Sequence, residues 1–248
     1  VAVKQEDGSF TYETDGHLWD VKLSGRVKVG GEGRVTLEPP EREDGSLTMV
    51  FPVDGRDVAV VSSEPLAINF SGKLGLNRIM RNIDQVLEAE NGRPVFRGFY
   101  DPSDPKSDAS MALGDLLTGR RGDARPQEAA RAVVRCAGGL LALIVRTLRE
   151  GRVEKDPSQK QWTEQDKALV RNAGLFLVGG GLVTRGMAGD ALSPVGEMIL
   201  SSAREILGEE AALLPIPEPG GAAATRGAAL LTDDISSASA ESPGKGAF

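Results

Sequence analysis

Three consecutive glycines, Gly179, Gly180 and Gly181, are the residues of this chain best suited to hold a ligand. They follow the apolar run LFLV, and Thr184 follows them, in the segment LFLVGGGLVTRG (175–186). Glycine lets a ligand approach the backbone, and free N–H groups at such a turn face an anion. The pattern predicts a buried strand at 175–178 and a turn that could hold phosphate or ribose. A tight turn without a ligand has the same pattern and stays open as the alternative.

Two common nucleotide motifs are excluded by their spacing. The dinucleotide fingerprint GxGxxG, counted from Gly179 and Gly181, requires a third glycine where the chain has Thr184. The phosphate-binding loop GxxxxGK[ST] is also absent, because the Gly-Lys pair at 72–73 has neither the leading glycine nor a following hydroxyl.

Other chemically interesting side chains are better explained as structural. The single histidine, His17, lies beside Trp19 in a predicted hairpin, and no partner for catalysis is evident. Cys136 lies in an apolar helix, where a thiol is usually an inert core residue.

Two charged groups at loops are interpreted in the same way. The loop acids lack the glycine and distal glutamate of a calcium loop, so a solvated loop is favoured over a cation site. An adjacent arginine pair is favoured as a surface feature over a phosphate contact. These residues are Asp101, Asp104 and Asp108, and Arg120 and Arg121.

Composition limits the functional classes. The chain has 248 residues and a formal net charge of −7, which argues against a nucleic-acid or anionic-membrane partner. One cysteine excludes an internal disulfide. No secretory signal is recognised, and the longest apolar run, near 137–145, is shorter than a membrane span, so we expect a cytoplasmic protein. The start at Val1 indicates either a GTG start codon or a missing N-terminal piece.

The first part of the chain, residues 1–72, is predicted to be β-rich. Short apolar stretches alternate with Gly, Asp and Pro punctuation, as in half-buried antiparallel strands. The predicted strands are 18–23, 26–29, 34–38, 47–53 and 57–62.

Residues 73–234 are predicted to form a helical and α/β lobe, followed by a disordered tail at 235–248. A one-sided apolar stripe from about 74 ends at Asn91-Gly92. A helix over roughly 127–150 is apolar on nearly all sides, which predicts burial; the glycines at 138–139 predict a close backbone approach or a break. The later predicted elements are a short capped helix at 163–174, the strand at 175–178, a helix from Ser193-Pro194 to Gly208, an apolar segment at 211–216 and an alanine-rich helix at 222–231.

The order of these elements resembles a known superfamily. Over roughly 110–232 the succession resembles the last lobe of the actin/hexokinase/sugar-kinase superfamily, most closely its bacterial glucokinase-like (ROK-type) members. LFLVGGGLVTRG resembles the adenosine motif, GGAAATRGAALL (220–231) the terminal helix, and LTGRRGDARPQEAARAVVRCAGGLLALIVRTL (117–148) the region before the adenosine motif. The fold that this implies is an α/β, actin-like ATPase (ribonuclease H-like) lobe with a mixed sheet flanked by helices, and a β-rich N-terminal part.

The resemblance also implies a ligand set and an activity. ATP with Mg²⁺ would be bound, and a phosphoryl group would pass to a sugar hydroxyl; a homodimer is compatible with this interpretation. Residues 179–181 would lie beside adenine and ribose or an α-phosphate, Thr184 would reach a phosphate or ribose, and Gly220 and Gly221 would shape the far wall.

The chain departs from that superfamily in its first half. It has no Asp-x-Gly-Gly/Ser-Thr segment for the β- and γ-phosphates, no sugar-binding Asn-Asp pair and no Cys-rich zinc motif, and the catalytic base is not identified. Three interpretations stay open: a sugar kinase-like protein, either whole or N-terminally incomplete; a non-catalytic nucleotide-binding or protein-interaction member of the fold; and a structural α/β protein with no ligand at the glycines.

Overall fold

The structure is a computed structural model of mixed α/β type, with a mixed sheet flanked by helices. It describes residues 2–4, 10–12, 23–41, 46–62, 75–101, 109–151, 163–178, 183 and 192–215. The strands are β1 (Ala2–Lys4), β2 (Phe10–Tyr12), β3 (Gly25–Val29), β4 (Val35–Glu38), β5 (Leu47–Val53), β6 (Arg56–Ser62), β7 (Leu175–Val178) and β8 (Ala212–Pro215). The helices are α1 (Gly75–Ala89), α2 (Ala109–Leu117), α3 (Ala124–Arg149), α4 (Glu164–Arg171) and α5 (Pro194–Leu207).

The larger sheet has the strand order β4-β3-β5-β6. β3 is antiparallel to β4 and parallel to β5, with Val27 opposite Leu37 on one side and Met49 on the other. β5 and β6 form an antiparallel hairpin. The strands predicted at 26–29, 34–38, 47–53 and 57–62 are confirmed to within a residue. Of the strand predicted at 18–23, only Leu23 is described, and it lies before β3.

The central helix α3 packs against both the sheet and α5. The prediction that it is buried is confirmed, since most of its residues from Ala129 to Val145 are shielded from solvent. The helix is also unbroken, so the two glycines at its middle serve close packing. A Cβ added to Gly138 would lie 2.6 Å from the carbonyl oxygen of Ile199 in α5, and one added to Gly139 would lie 2.6 Å from Cγ1 of Val27 in β3.

The end of the described chain forms a strand–helix–strand unit. β7 and β8 are parallel neighbours, and α5 connects them in sequence. The prediction of a helix capped by Ser193 and ended by Gly208 is confirmed, because the Ser193 hydroxyl accepts a hydrogen bond of 2.9 Å from the N–H of Gly196.

The prediction that 175–178 is a buried strand is wrong in its burial, although the bounds of the strand are confirmed. Phe176 and Val178 pack against the core, whereas Leu175 and Leu177 are 49% and 63% exposed. The physical reason is that the core covers one face of β7 while its other face is left to solvent, so alternate side chains differ in exposure.

One hydrophobic core joins these parts. It extends from Leu23 before β3, through the sheet and helices α1, α2, α3 and α5, to Leu213 in β8. None of the helices in the described part of the chain is both long enough and apolar enough to cross a membrane.

Candidate functional site

The residues that the sequence singles out for ligand binding lie outside the described residues. These are Gly179, Gly180, Gly181, Thr184, Gly220 and Gly221. Val178, which precedes Gly179, and Val183, which precedes Thr184, are described, whereas the chain before Gly220 is described only as far as Pro215.

The carboxyl ends of β7 and β8 lie at the same edge of their sheet. Val178 ends β7 and lies opposite Pro215, which ends β8. Because the strands are parallel, their carboxyl ends point the same way, and the chain continues from Val178 into Gly179 and from Pro215 toward Gly220. In open α/β sheets, ligands bind in the crevice outside the carboxyl ends of parallel strands. The tertiary structure therefore brings Val178 and Pro215, which are 37 residues apart in sequence, to one edge of a sheet.

The first turn of α5 is fastened to the chain just beyond the three glycines. The carbonyl oxygen of Val183 accepts a hydrogen bond of 2.9 Å from the N–H of Ser193. Gly196 packs so tightly on the backbone of Val183 that a Cβ there would overlap its carbonyl group. The positive end of a fourteen-residue helix thus lies next to Val183, two positions after Gly181.

A second polar cluster joins the β5–β6 turn to the start of α3. Asp54 and Gly55 both have positive φ (53° and 73°), as a two-residue hairpin turn requires. Arg125 donates from Nε and Nη2 to the two carboxylate oxygens of Asp54, each at 2.8 Å, and from Nη1 to the Pro94 carbonyl at 3.0 Å. These hydrogen bonds hold the pKa of the Asp54 carboxyl below its usual value and raise the pKa of Arg125. These donors of Arg125 are therefore engaged, and the cluster connects the β5–β6 turn, the segment that contains Pro94 and the start of α3.

A groove of about 630 Å³ lies between the loop that joins β3 to β4 and the first half of α3. Its walls include Gly31 and Gly33 on the loop and Arg131 and Arg135 on the helix. A smaller hollow of about 390 Å³ shares Gly33 and Arg135 and extends to Ser202 on α5. Sequence reasoning missed this groove, although the segment VGGEGR (29–34) and the four-residue spacing of the two arginines were visible signals.

The remaining sequence candidates are placed as follows. Cys136 is fully buried, and burial raises the pKa of its thiol, which confirms it as a core residue. Arg120 and Arg121 are exposed, and the Arg121 guanidinium lies 5.6 Å from the centre of the Phe99 ring, which confirms a surface pair.

Only the first residue of the candidate cation loop is described, and the histidine is not described. Asp101 is exposed, whereas Asp104, Asp108 and His17 lie outside the described residues. Among the residues that the structure does describe, no group of three or more Asp, Glu, His or Cys side chains is placed to hold a metal ion.

Comparison of the chain with protein-family models, with curated proteins and with solved structures finds no match. The resemblance to the sugar-kinase superfamily therefore rests on the quoted segments and on the order of the elements, and it stays a prediction.

Proposed function

We propose that this protein binds ATP with Mg²⁺ at the carboxyl edge of β7 and β8, as a member of the actin-like ATPase fold that is related to the bacterial sugar kinases. The observation that carries the proposal is the parallel pairing of Val178 with Pro215. It brings the carboxyl ends of β7 and β8 to one sheet edge, so residues of the two segments that follow them could contact one ligand.

The local chemistry of that edge suits a nucleotide. Glycines at 179–181 would offer backbone N–H groups without side-chain obstruction, and the N-terminal end of α5, beside Val183, would add positive potential. Gly220 and Gly221 would supply the opposite wall, and Thr184 a hydroxyl for ribose or phosphate. In this proposal, Mg²⁺ arrives on the phosphates of ATP.

The reaction proposed is phosphoryl transfer to a sugar hydroxyl. Such transfer depends on positioning and on neutralising the charge of the phosphates. A second candidate function, nucleotide binding without turnover, is favoured by one observation: none of the 248 residues forms an Asp-x-Gly-Gly/Ser-Thr segment. The two functions share the same site and differ in whether a sugar is phosphorylated.

The test is isothermal titration of the full chain with ATP·Mg²⁺, followed by an assay for ADP release with a panel of sugars. We expect saturable binding that Gly180→Val abolishes, because the added side chain would occupy the space of the ligand. Gly75→Val is the matched control, since a Cβ at Gly75 would meet no described atom within 4 Å.

The outcomes separate the candidates. Binding with sugar-dependent ADP release supports the kinase, and binding without release supports the non-catalytic function. If the folded wild-type chain fails to bind ATP·Mg²⁺, or if Gly180→Val binds as well as Gly75→Val, the nucleotide site is refuted and the glycines form a turn without a ligand.

A further inference from the structure

The groove between the β3–β4 loop and α3 contains two arginines whose charges are not compensated by contacts. Arg131 and Arg135 lie one helical turn apart on α3, and both are half-buried. Neither has a hydrogen bond or an ion pair with any residue that the structure describes. Like charges at this spacing repel each other, and an anion between them would relieve that repulsion. The pair thus offers two charged donors in one groove.

The loop opposite the arginines offers donors as well. The N–H of Gly30 donates to the Arg34 carbonyl, and that of Gly33 donates to the Gly30 carbonyl, each at 2.8 Å. Within the described chain, the N–H groups of Gly31 and Glu32 donate to no backbone carbonyl. A Cβ on Gly31 would meet no described atom within 4 Å, so the tip of the loop is open to a ligand.

Gly33 keeps one of the arginines against this loop. Its φ of +79° is a conformation that favours glycine, and the guanidinium of Arg135 occupies the place that a Cβ on Gly33 would take. Any larger residue at this position would displace the guanidinium. The loop and the helix thus form one surface on which arginine and backbone N–H groups lie together.

The carboxylates of the groove leave this positive charge available. Asp54 is engaged by Arg125 in a two-point ion pair. Glu32 and Glu128 are exposed at the rim, and neither lies within ion-pair distance of a described arginine. Exposed carboxylates are well solvated and screened by salt, so they weaken an anion site without filling it.

We infer that this groove binds a phosphate group, held by Arg131, Arg135 and the N–H groups at the tip of the loop. A phosphate carries a charge of about −1.5 to −2 at neutral pH, which matches two guanidinium groups, whereas a carboxylate matches one. Arginine also recognises phosphate by paired hydrogen bonds. The volume of about 630 Å³ leaves room for a small phosphate ester as well as free phosphate. None of the described residues that line this groove belongs to β7 or β8, where the nucleotide site is proposed.

The test is an NMR titration of the ¹⁵N-labelled full chain with inorganic phosphate, with glycerol phosphate and with acetate at constant ionic strength. We expect both phosphate compounds to shift the amide signals of Gly31, Glu32 and Gly33 saturably, and acetate to bind at least about tenfold more weakly. Tighter binding of glycerol phosphate would identify an ester as the ligand, and tighter binding of inorganic phosphate would identify the free ion.

Variants assign the site to the two arginines. Arg131→Gln and Arg135→Gln should each weaken phosphate binding about tenfold or more, and the double variant should abolish it. Arg81→Gln is the matched control, because it removes an equal charge from the exposed side of α1. Arg135→Lys, which keeps the charge, should lose less than Arg135→Gln.

Several results would overturn the inference. They are the absence of amide shifts in the wild-type chain, equal phosphate affinity in the double variant and the wild type, and acetate binding as tight as phosphate. Gly180→Val separates this site from the nucleotide site: it should leave the phosphate titration unchanged, so failure of ATP binding does not refute the groove. Loss of phosphate binding in Gly180→Val would show that the groove is not an independent site.

Discussion

At the scale of single residues, the ion pair between Asp54 and Arg125 contributes to the fold mainly through the geometry of its two hydrogen bonds. Both side chains are about one-third exposed, so screening by water limits the stabilisation. The two-point contact nevertheless joins a hairpin turn to the first turn of α3, and it is the arrangement that arginine makes best.

Replacing Asp54 by Asn tests this ion pair without disturbing the turn, because asparagine tolerates the positive φ of this position. We expect the free energy of unfolding to fall by about 1 kcal/mol or less at pH 6. The folded-state pKa of Asp54 lies below its ordinary value of 3.8. The stabilisation is therefore present above that value and is lost as the pH falls through the lowered pKa.

Urea unfolding of the wild type and of Asp54→Asn at pH 6, 4 and 3 measures this difference. The difference should be largest at pH 6 and should shrink below pH 3.8. Glu164→Gln is the comparison, since it removes the ion pair of a carboxylate that is 84% exposed and screened by water, and its effect on stability should be smaller than that of Asp54→Asn. A difference that is independent of pH would assign the effect of Asp54→Asn to something other than the charge.

At the scale of elements, the close contact between α3 and α5 depends on glycine, which has no side chain, at position 138. Gly138 brings the helix surface close enough that an added Cβ would lie 2.6 Å from both the carbonyl oxygen of Ile199 and Cβ of Ser202. The same substitution elsewhere in a helix is favourable, because alanine forms helices better than glycine.

Gly138→Ala should therefore destabilise the protein, with a net loss of about 1–3 kcal/mol from overpacking that exceeds a gain of about 1 kcal/mol in helix propensity. Gly114→Ala in α2 is the matched control: the nearest atom to its Cβ would be Cγ2 of Val195 at 4.0 Å, so it should stabilise. Chemical unfolding followed by circular dichroism measures both. Equal effects of the two variants would contradict the close contact.

At the scale of the whole molecule, Cys136 reports on the integrity of the core. The side chain is fully buried at the centre of α3, between the sheet and the other helices, and burial raises the pKa of its thiol. A reagent that needs an exposed thiolate can reach it only when the core opens.

We expect a disulfide reagent to label Cys136 only through unfolding, with a dependence on denaturant that follows the loss of helical circular dichroism. The buried apolar residues between Leu23 and Leu213 belong to one cluster, so a single unfolding transition should account for both the labelling and the loss of circular dichroism. The boundary between residues 72 and 73 stays a prediction. Labelling of Cys136 at a lower denaturant concentration than the one at which helical circular dichroism is lost would favour two parts that unfold separately. Rapid labelling of the native protein would contradict the burial of the thiol.

The sequence alone determined most local elements of this protein. The strands at 26–29 and 47–53, the helix ended by Asn91-Gly92 and the helix capped by Ser193 follow from side-chain period, turn residues and caps. These signals act within a few residues along the chain, so they can be interpreted without knowledge of distant neighbours.

Only the tertiary structure decided how these elements face each other. It left Leu177 exposed, brought the ends of β7 and β8 to one edge, and placed the loop at 30–34 against Arg131 and Arg135, about a hundred residues later. Periodicity shows that a face is apolar but not which element covers it, because burial depends on contacts between segments far apart in sequence. The groove and the shared edge of β7 and β8 are both products of such distant contacts.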